Sequence, residues 1–309
     1  MTGLADPSAT VPPALRDAVL AWYEATGRPL AFRATSDPYA VLVSELMAQQ
    51  TQALRAAESW TAWMVRFPTV LALAEAPVAE VLRAWAGLGY NRRAVALHRA
   101  ARVIVEEHGG EVPASVPELE ALPGVGPYTA RAVAAIAFGM PVGAVDTNVR
   151  RVLGRLVAGG AEGFTPASMQ ALADAVVPAG RAGAWTHALM DVGARVCKPA
   201  KPLCADCPAS TWCRYAAGER PVGERPAAAE VSGAGDRRPH PRFETTNRWL
   251  RGRILKQARD ADNEAWIPYV EPIGVHGAHA VREAVAALAS EGMLEAREAA
   301  DGPEARLPR

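Results

Sequence analysis

Two carboxylic acids in contrasting sequence surroundings are the first candidates for chemistry. Glu45 lies in the stretch VSELMAQQT, where most of its neighbours are apolar. Burial disfavours the charged form of a carboxyl group and raises its pKa. Asp146 lies in VDTN, directly before a predicted helix. Without a catalytic role, Glu45 would be a solvated helix residue and Asp146 a helix N-cap, a role that is compatible with catalysis.

Four cysteines form a second motif with chemical potential. Cys197, Cys204, Cys207 and Cys213 are separated by six, two and five residues, and the chain has four cysteines in total. Four thiolates can hold a tetrahedral zinc ion or a 4Fe–4S cluster. Structural zinc sites usually show two close pairs of ligands, so the uneven spacing favours the cluster over zinc.

Two lysines lie between the first two cysteines. Lys198 and Lys201 would sit in a loop that the metal centre holds in place. Ammonium groups in such a loop suit contact with DNA phosphates. Outside this setting, two lysines would be ordinary surface residues.

The string LPGVGPYTA forms a third motif, between two predicted helices. Gly124 and Gly126 allow a tight turn at positive φ, and Pro127 begins the next helix. The turn, with Val125 at its centre, would point backbone N–H groups outward at a helix N-terminus, where they can bind phosphate. This helix–hairpin–helix pattern predicts binding to the DNA backbone without base-specific contacts. The alternative is an ordinary helix–helix turn.

Helices must position these residues, because the periodicity of residues 1–216 is almost entirely helical. Proline and glycine mark the predicted limits. The predicted helices begin near 13, 38, 78, 91, 115, 127, 146, 166 and 181, and the second extends to about Gln52. Residues 217–245 are rich in Pro, Gly, Ala and charge, which predicts a linker. Residues 246–309 predict two helices and a hairpin around Asp301–Gly302, as in a small winged-helix-like module.

Composition excludes several classes of function. The 309 residues carry 33 basic and 33 acidic side chains, so a nucleic-acid partner must be sought in local patches. The chain contains three lysines, the first at 198, which excludes a Schiff-base lysine before that position. It has no apolar run long enough for a membrane span and no export signal, so a cytoplasmic location is expected.

Taken in order, the motifs VSELMAQQT, GLGYNRRA, LPGVGPYTA, VDTNVRRV and the cysteine string resemble one family. From about residue 30 to 213, the chain resembles the helix–hairpin–helix, Gly/Pro-Asp base-excision DNA glycosylases, which include endonuclease III. Within them it is most similar to the MutY-type adenine DNA glycosylases, in a short actinobacterial-like form. The resemblance implies an all-α fold of two domains with a DNA cleft between them and a 4Fe–4S cluster. Residues 34–142 would form the six-helix domain, 1–33 and 143–216 the cluster domain, 217–245 a linker and 246–309 the module.

The resemblance also implies roles for single residues. Glu45 matches the acid that protonates adenine at N7, and Asp146 matches the carboxylate that stabilises the positive sugar. Tyr128 stands where bifunctional relatives carry a lyase lysine, and Asn148 matches a residue that positions Asp146 and the attacking water. Arg33 matches an arginine near the adenine pocket. The residues that match DNA-entering and base-probing positions are Gln49, Gln50, Thr51, Leu88 and Tyr90. The implied substrate is double-stranded DNA with adenine opposite 8-oxoguanine or guanine, bound by a monomer.

The chain departs from the family in four places. It has Ala31-Phe32 where Pro-Trp is usual, Ala48 where Leu is usual, and Asn91 where an aromatic residue is usual. Residues 217–309 are too short for the Nudix-like domain that recognises 8-oxoguanine. Discrimination of 8-oxoguanine from guanine is therefore left open.

Three other functions compete with adenine excision. A T:G mismatch glycosylase can carry a tyrosine at the position of Tyr128 and a comparable glutamate. A bifunctional lyase is disfavoured by the lack of a suitable lysine. A non-catalytic iron–sulfur DNA-binding protein is disfavoured by the joint presence of Glu45, Tyr128 and Asp146.

Overall fold

The computed structural model describes residues 11–219, 242–262 and 265–309, and most of this chain is helical, as predicted. The predicted linker lies largely outside the described residues. The α-helices are α1 (Pro13–Thr26), α2 (Pro38–Ala48), α3 (Ala53–Arg66), α4 (Val70–Ala74), α5 (Val78–Ala84), α6 (Arg92–Glu107), α7 (Val116–Ala121), α8 (Pro127–Ala137), α9 (Thr147–Ala158), α10 (Pro166–Ala175), α11 (Ala182–Asp191), α12 (Asn247–Asp260) and α13 (Ala278–Ser290). The strands are β1 (Ile267–Pro268), β2 (Glu295–Ala299) and β3 (Gly302–Arg306).

The described residues form two compact units. The first comprises residues 11–45, 114–121 and 125–219, and the second comprises 46–113, 122–124, 242–262 and 265–309. The predicted domain limits stay a prediction. Among the described residues, no helix is long and apolar enough to span a membrane.

The first unit is built around α1, α9 and α11. Pro13 begins α1 and Gly27 follows its last residue, so that the helix has the limits expected from its sequence. Its buried face packs on α11, and α9 supplies further core side chains. The core contains Leu15, Val19, Val149, Leu153 and Trp185, and three of the cysteines pack at its margin. This core fixes α9, the helix whose N-terminus carries Asp146 and Asn148.

The second unit has its own core around α3 to α6. Trp63 packs edge-on against Phe67, with ring centroids 4.8 Å apart, and against Trp85 at 5.5 Å. Both tryptophans are almost fully buried. Helices α3 and α4 were not predicted from the sequence; the aromatic cluster packs the C-terminal part of α3 into this core.

The C-terminal residues of the second unit fold as predicted, with two helices and a hairpin. Helices α12 and α13 pack on each other, and β2 pairs antiparallel with β3 across a two-residue turn at Ala300 and Asp301. A short strand, β1, was not predicted and pairs with β3, which gives the strand order β1-β3-β2. This arrangement fits the predicted winged-helix-like module.

One predicted helix limit is wrong. Helix α2 ends at Ala48, not near Gln52, because Gln50 has a positive φ of 52° that a helix cannot contain. The turn that results separates α2 from α3.

Candidate active site

Helix α2 carries Glu45 into a buried position. The helix begins at Pro38, where the Asp37 carboxylate accepts the Ala40 N–H at 2.8 Å. Seven consecutive residues from 41 to 47 are buried, and the Glu45 side chain shares this environment, with 7% of the residue exposed. Burial, and to a smaller extent the nearby Asp146 carboxylate, raises the pKa of Glu45 from its ordinary value of 4.5 to about 7. A carboxyl group with such a pKa can donate a proton at neutral pH.

Tyr128 lies against this carboxyl group from helix α8. Its hydroxyl group is hydrogen-bonded to Glu45, and this bond lowers the Glu45 pKa in part. Burial and then the neighbouring acids, Glu45 and Asp146, raise the pKa of Tyr128 well above its ordinary value. Tyr128 therefore remains a neutral phenol and does not provide the nucleophilic amine of a lyase.

Asp146 caps helix α9, as one interpretation of the sequence predicted. One of its oxygens accepts the Val149 N–H at 2.6 Å, and the other accepts the Asn148 amide at 2.9 Å. Donors on both oxygens suit a carboxylate. Because its charge also acts on the Glu45 carboxyl, the two acids lie in one site.

Arg151 orients Asn148, and sequence reasoning missed it. The guanidinium donates to the Asn148 side-chain oxygen at 2.8 Å, which turns the Asn148 NH₂ group toward Asp146. It also donates to the carbonyl oxygens of Gly193 at 2.8 Å and Cys197 at 2.7 Å. A Cβ at Gly193 would lie 2.6 Å from the Asn148 Cβ, so a glycine is required there for space.

Arg33 is held by a buried carboxylate, Asp191, which sequence reasoning also missed. The Arg33 guanidinium makes two parallel bonds to Asp191, of 2.8 and 3.0 Å, and Arg28 adds two more, of 2.7 and 2.9 Å. Burial would raise the pKa of Asp191, but the bonds from the two arginines outweigh it and hold the pKa at about 2. The sequence feature that could have indicated this buried carboxylate is the position of Asp191 as a single acid in the apolar run ALMDVG. This ion pair fixes the Arg33 charge, which acts on Glu45 and lowers its pKa in part.

In the second unit, one arginine holds together the two loops that carry the predicted DNA-entering residues. The Arg93 guanidinium donates to carbonyl oxygens at both loops, including Gln49 at 2.6 Å and Gly89 at 3.3 Å. It also reaches Thr51 Oγ1 at 3.3 Å. Its other acceptors are the carbonyl oxygens of Leu46, Met47 and Leu88.

The tips of these two loops have unusual backbone conformations. Gln50 and Tyr90 have positive φ, 52° and 45°, which costs about 1–2 kcal/mol each for residues with a Cβ. Gln50 is exposed and Tyr90 is 43% exposed, whereas Leu88 is buried. Two of the predicted DNA-entering side chains therefore face solvent, and Leu88 does not.

The predicted hairpin joins α7 to α8, with one correction. Gly124 has a positive φ of 79°, and a Cβ there would lie 2.6 Å from the Ala96 Cβ. Gly126 has φ −97°, which any residue can adopt, so the prediction of a positive φ is wrong for this glycine. Gly126 instead precedes the first helical residue, Pro127, and nothing lies within 4 Å of a Cβ built on it. The exposed Gly126 leaves the N-terminus of α8 accessible, while Val125 is buried.

All four cysteines line one cavity in the first unit. Two single helical turns, Cys204–Asp206 and Ser210–Trp212, follow Cys197 and bring the cysteines together. Burial and then the other three thiols raise the pKa of Cys207 to about 11, which places the four groups close to one another. Among the described residues, no three His, Cys, Asp or Glu side chains converge tightly enough for a single metal ion. Four thiols are the donor set of a 4Fe–4S cluster, and the cavity that they share is where this chain would hold one.

Arg155 braces the loop between the first two cysteines. Its guanidinium donates to the carbonyl oxygens of Lys198 and Pro199, both at 2.8 Å, and lies 3.6 Å from the Cys197 sulfur. Lys198 and Lys201 are exposed on the same loop. The loop thus presents two cations to solvent, as the spacing predicted.

Comparison with known proteins decides the family. The profile of the HhH-GPD superfamily base excision DNA repair proteins matches residues 43–178. The adenine DNA glycosylase of Mycobacterium tuberculosis H37Rv is 41% identical over 264 residues, which cover 84% of this chain and 83% of that protein. The chain belongs to the HhH-GPD superfamily of base excision DNA repair proteins.

Two further HhH-GPD relatives differ in the share of each chain that the alignment covers. The adenine DNA glycosylase of Mycolicibacterium smegmatis is 39% identical over 288 residues, which cover 92% of this chain and 93% of that protein. This alignment extends into the C-terminal module, since residues 246–309 are about a fifth of the chain. The human adenine DNA glycosylase is 44% identical over 213 residues, which cover 65% of this chain and 39% of the human protein.

Solved structures confirm the HhH-GPD fold. A thermostable thymine-DNA glycosylase superimposes with a TM-score of 0.62 and 31% identity, over 66% of this chain and 95% of that structure. An endonuclease III–DNA complex superimposes with a TM-score of 0.57 over 66% of this chain and 94% of that structure. Its identity of 24% supports the fold alone.

Proposed function

We propose that this protein is a monofunctional adenine DNA glycosylase of base excision repair, which excises adenine mispaired with 8-oxoguanine or guanine. The observation that carries the proposal is the carboxyl pair: Glu45, whose pKa is raised to about 7, beside Asp146, whose oxygens accept two hydrogen bonds. Cleavage of a glycosidic bond through an oxocarbenium-like state uses one protonated and one ionised carboxyl group. The adenine DNA glycosylases among the relatives, at 39–44% identity, support adenine as the base.

In the proposed reaction, Glu45 donates its proton to N7 of adenine. The C1′–N9 bond then breaks, its electron pair leaves with the base, and positive charge develops on the deoxyribose. The Asp146 carboxylate stabilises that charge, and Asn148, oriented by Arg151, positions Asp146 and the attacking water. Water adds to C1′ and its proton passes to the carboxylate pair, which gives free adenine and an abasic site. A well-placed general acid contributes roughly 10²–10⁴-fold to such a rate.

The reaction stops at the abasic site because none of the three lysines of the chain lies among the described residues of the active site. Tyr128 stays a neutral phenol there, Lys198 and Lys201 lie on the exposed cysteine loop, and Lys256 lies on α12 of the second unit. Strand cleavage should therefore appear only after alkali or heat. Efficient cleavage without either, trapped by borohydride, would contradict monofunctional activity.

The proposed partner is double-stranded DNA, bound by a monomer in the cytoplasm, and several features support the binding of DNA. Gln50 and Tyr90 would enter the helix at the mispair, supported by Gln49, Thr51 and Leu88. Arg33 would stand at the adenine pocket. The hairpin Gly124-Val125-Gly126 and the lysines of the cysteine loop would bind phosphates. Unstacking the target base costs a few kcal/mol, least for a mispaired base, and these contacts would offset it.

A 4Fe–4S cluster on Cys197, Cys204, Cys207 and Cys213 is part of the proposal. When bound, the cluster supplies structural bracing rather than bond cleavage, since its ligands flank the loop that carries the two lysines. Arg155 supports the same loop through two backbone carbonyls. Iron and zinc analysis of the purified protein tests this: about four irons per chain are expected, and one zinc with no iron would overturn it.

The decisive experiment is a single-turnover excision assay with alkaline workup on A:8-oxoguanine, A:G and T:G duplexes. Excision of adenine, with Glu45→Gln inactive but still able to bind DNA, is the expected result. Excision of thymine alone would assign the chain to the mismatch class, which the thymine-DNA glycosylase structure makes the second candidate. Retained turnover by the Glu45→Gln variant would remove Glu45 from the role of acid.

A further inference from the structure

The second unit contains a groove that the proposed chemistry does not use. Its volume is about 680 Å³. One wall comes from the tips of the two loops, around Gln50 and Tyr90, and the other from Phe243 and the first turns of α12. Leu288 and Met293 complete it. The C-terminal module and the helical part of the second unit therefore line one groove together.

The described lining of this groove is basic. It includes four arginines and no acid: Arg92, Arg93, Arg248 and Arg251. Glu291 lies beside it and pairs with Arg251 at 2.7 Å and with Arg92 at 3.4 Å, so these two charges are partly compensated. Within the described part of the chain, Arg248 contacts Tyr90 and pairs with no acid, and it is exposed to solvent.

Arg248 and Tyr90 form a composite surface across the groove. The Arg248 guanidinium stacks on the Tyr90 ring, 4.3 Å from its centroid, and donates to the Tyr90 hydroxyl at 3.1 Å. Phe243 is 58% exposed, although burying a phenylalanine is favourable. Exposed aromatic rings interleaved with arginines are the pattern by which proteins stack bases and bind the phosphates beside them.

The module is firmly attached at this groove. Arg259 donates to the Asn91 side-chain oxygen at 2.6 Å, directly after Tyr90 in the chain. Arg83 donates to the carbonyl oxygens of Arg259 and Ala261, and the Ala79 N–H donates to the Pro308 carbonyl. These bonds hold α12, the helix that carries Arg248, beside the loop that carries Tyr90.

We propose that this groove binds the DNA strand beside the mispair, with Arg248 contacting a phosphate from its place on the Tyr90 ring and with Phe243 offering a face for a base. The inference rests on the proposed function, because Gln50 and Tyr90 are the residues proposed to enter the helix there. It assigns a DNA-binding role to the C-terminal module. Asn247, also in the lining, supplies amide hydrogen bonds to the same strand.

Equilibrium binding of a labelled A:G duplex tests this proposal, measured by fluorescence anisotropy from 50 to 200 mM salt. All variants carry Glu45→Gln, so that substrate is not consumed. Arg248→Ala should weaken binding about tenfold at low salt and reduce the slope of log affinity against log salt by about 1, the effect of one lost phosphate contact. Phe243→Ala should weaken binding severalfold with the slope unchanged, because a stacked ring carries no charge.

Arg253→Ala is the matched control, since Arg253 is an exposed arginine on the same helix and does not line the groove. Its removal should change affinity less than twofold. Arg248→Lys should keep the salt slope, which separates loss of charge from loss of structure. Equal affinities and slopes for Arg248→Ala and Arg253→Ala would overturn the proposal. The chain without Glu45→Gln could instead fail to excise adenine while Arg248→Ala still reduces the slope of log affinity against log salt. That result would contradict the proposed function and would support DNA binding in the groove.

Discussion

Replacing Glu45 by glutamine should stabilise the protein in a way that depends on pH. The folded state raises the pKa of Glu45 from 4.5 to about 7, mainly through burial. The ionised form is therefore disfavoured in the folded state and not in the unfolded chain. Since one pKa unit corresponds to about 1.4 kcal/mol, ionisation of Glu45 costs the folded state about 3 kcal/mol at high pH. The cost is absent below pH 4.5, grows as the pH rises to 7 and is constant above it.

Urea denaturation of the parent chain and the Glu45→Gln variant at pH 5 and pH 8 measures this cost. We expect the variant to have the larger free energy of unfolding, and this advantage over the parent should be about 2 kcal/mol greater at pH 8 than at pH 5. Any effect of the glutamine amide on stability that does not depend on pH cancels when the two pH values are compared. Glu58→Gln, on an exposed position of α3, is the matched control.

A difference in stability that is the same at both pH values would refute the reasoning. It would mean that Glu45 has an ordinary pKa in the folded protein. Glu45 could then still contact the substrate, but it would be almost fully ionised at neutral pH and unable to act as the proposed acid.

Three further outcomes follow from the same geometry. The single-turnover excision rate should fall about tenfold per pH unit above pH 7, and Tyr128→Phe should move that fall to higher pH, because it removes a hydrogen bond that lowers the Glu45 pKa. Gly193→Ala should reduce the excision rate at least tenfold by displacing the active-site asparagine, whereas Gly163→Ala, with nothing within 4 Å of the new Cβ, should not. Arg93→Lys should weaken DNA binding at least tenfold without changing the pH profile, because an ammonium group cannot reach acceptors in both loops; unaltered affinity would contradict this.

Local sequence patterns were sufficient to predict most helices and the burial of Glu45. Proline at the first helical position and glycine after the last residue mark α1 correctly, and the apolar neighbours of Glu45 predict its burial. Asp146 reads as an N-cap from its sequence and is one. These are interactions between residues close in the chain, or properties of a whole helix face, and a sequence displays both.

Long-range pairs were not predictable in this way. Asp191 binds Arg33 across 158 residues, and its sequence context shows a buried acid without naming its partner. The end of α2 is fixed partly by Arg93, whose acceptors at Leu46, Met47 and Gln49 lie more than 40 residues away in the chain. In the sequence, Asn91 is a departure from the family without a visible reason, because its hydrogen-bond partner, Arg259, is 168 residues away.

The contact between Asn91 and Arg259 also limits how modules can be exchanged between relatives. Arg259 is partly buried, and burial lowers the pKa of its guanidinium, so its hydrogen bond to Asn91 compensates for some of the lost hydration. An aromatic residue at 91 would remove that acceptor and leave the cation buried. A graft of this C-terminal module onto a relative with an aromatic residue at that position would therefore fail unless the asparagine were transferred with it. Position 91 and the module are therefore coupled by a hydrogen bond between residues 168 positions apart in the chain.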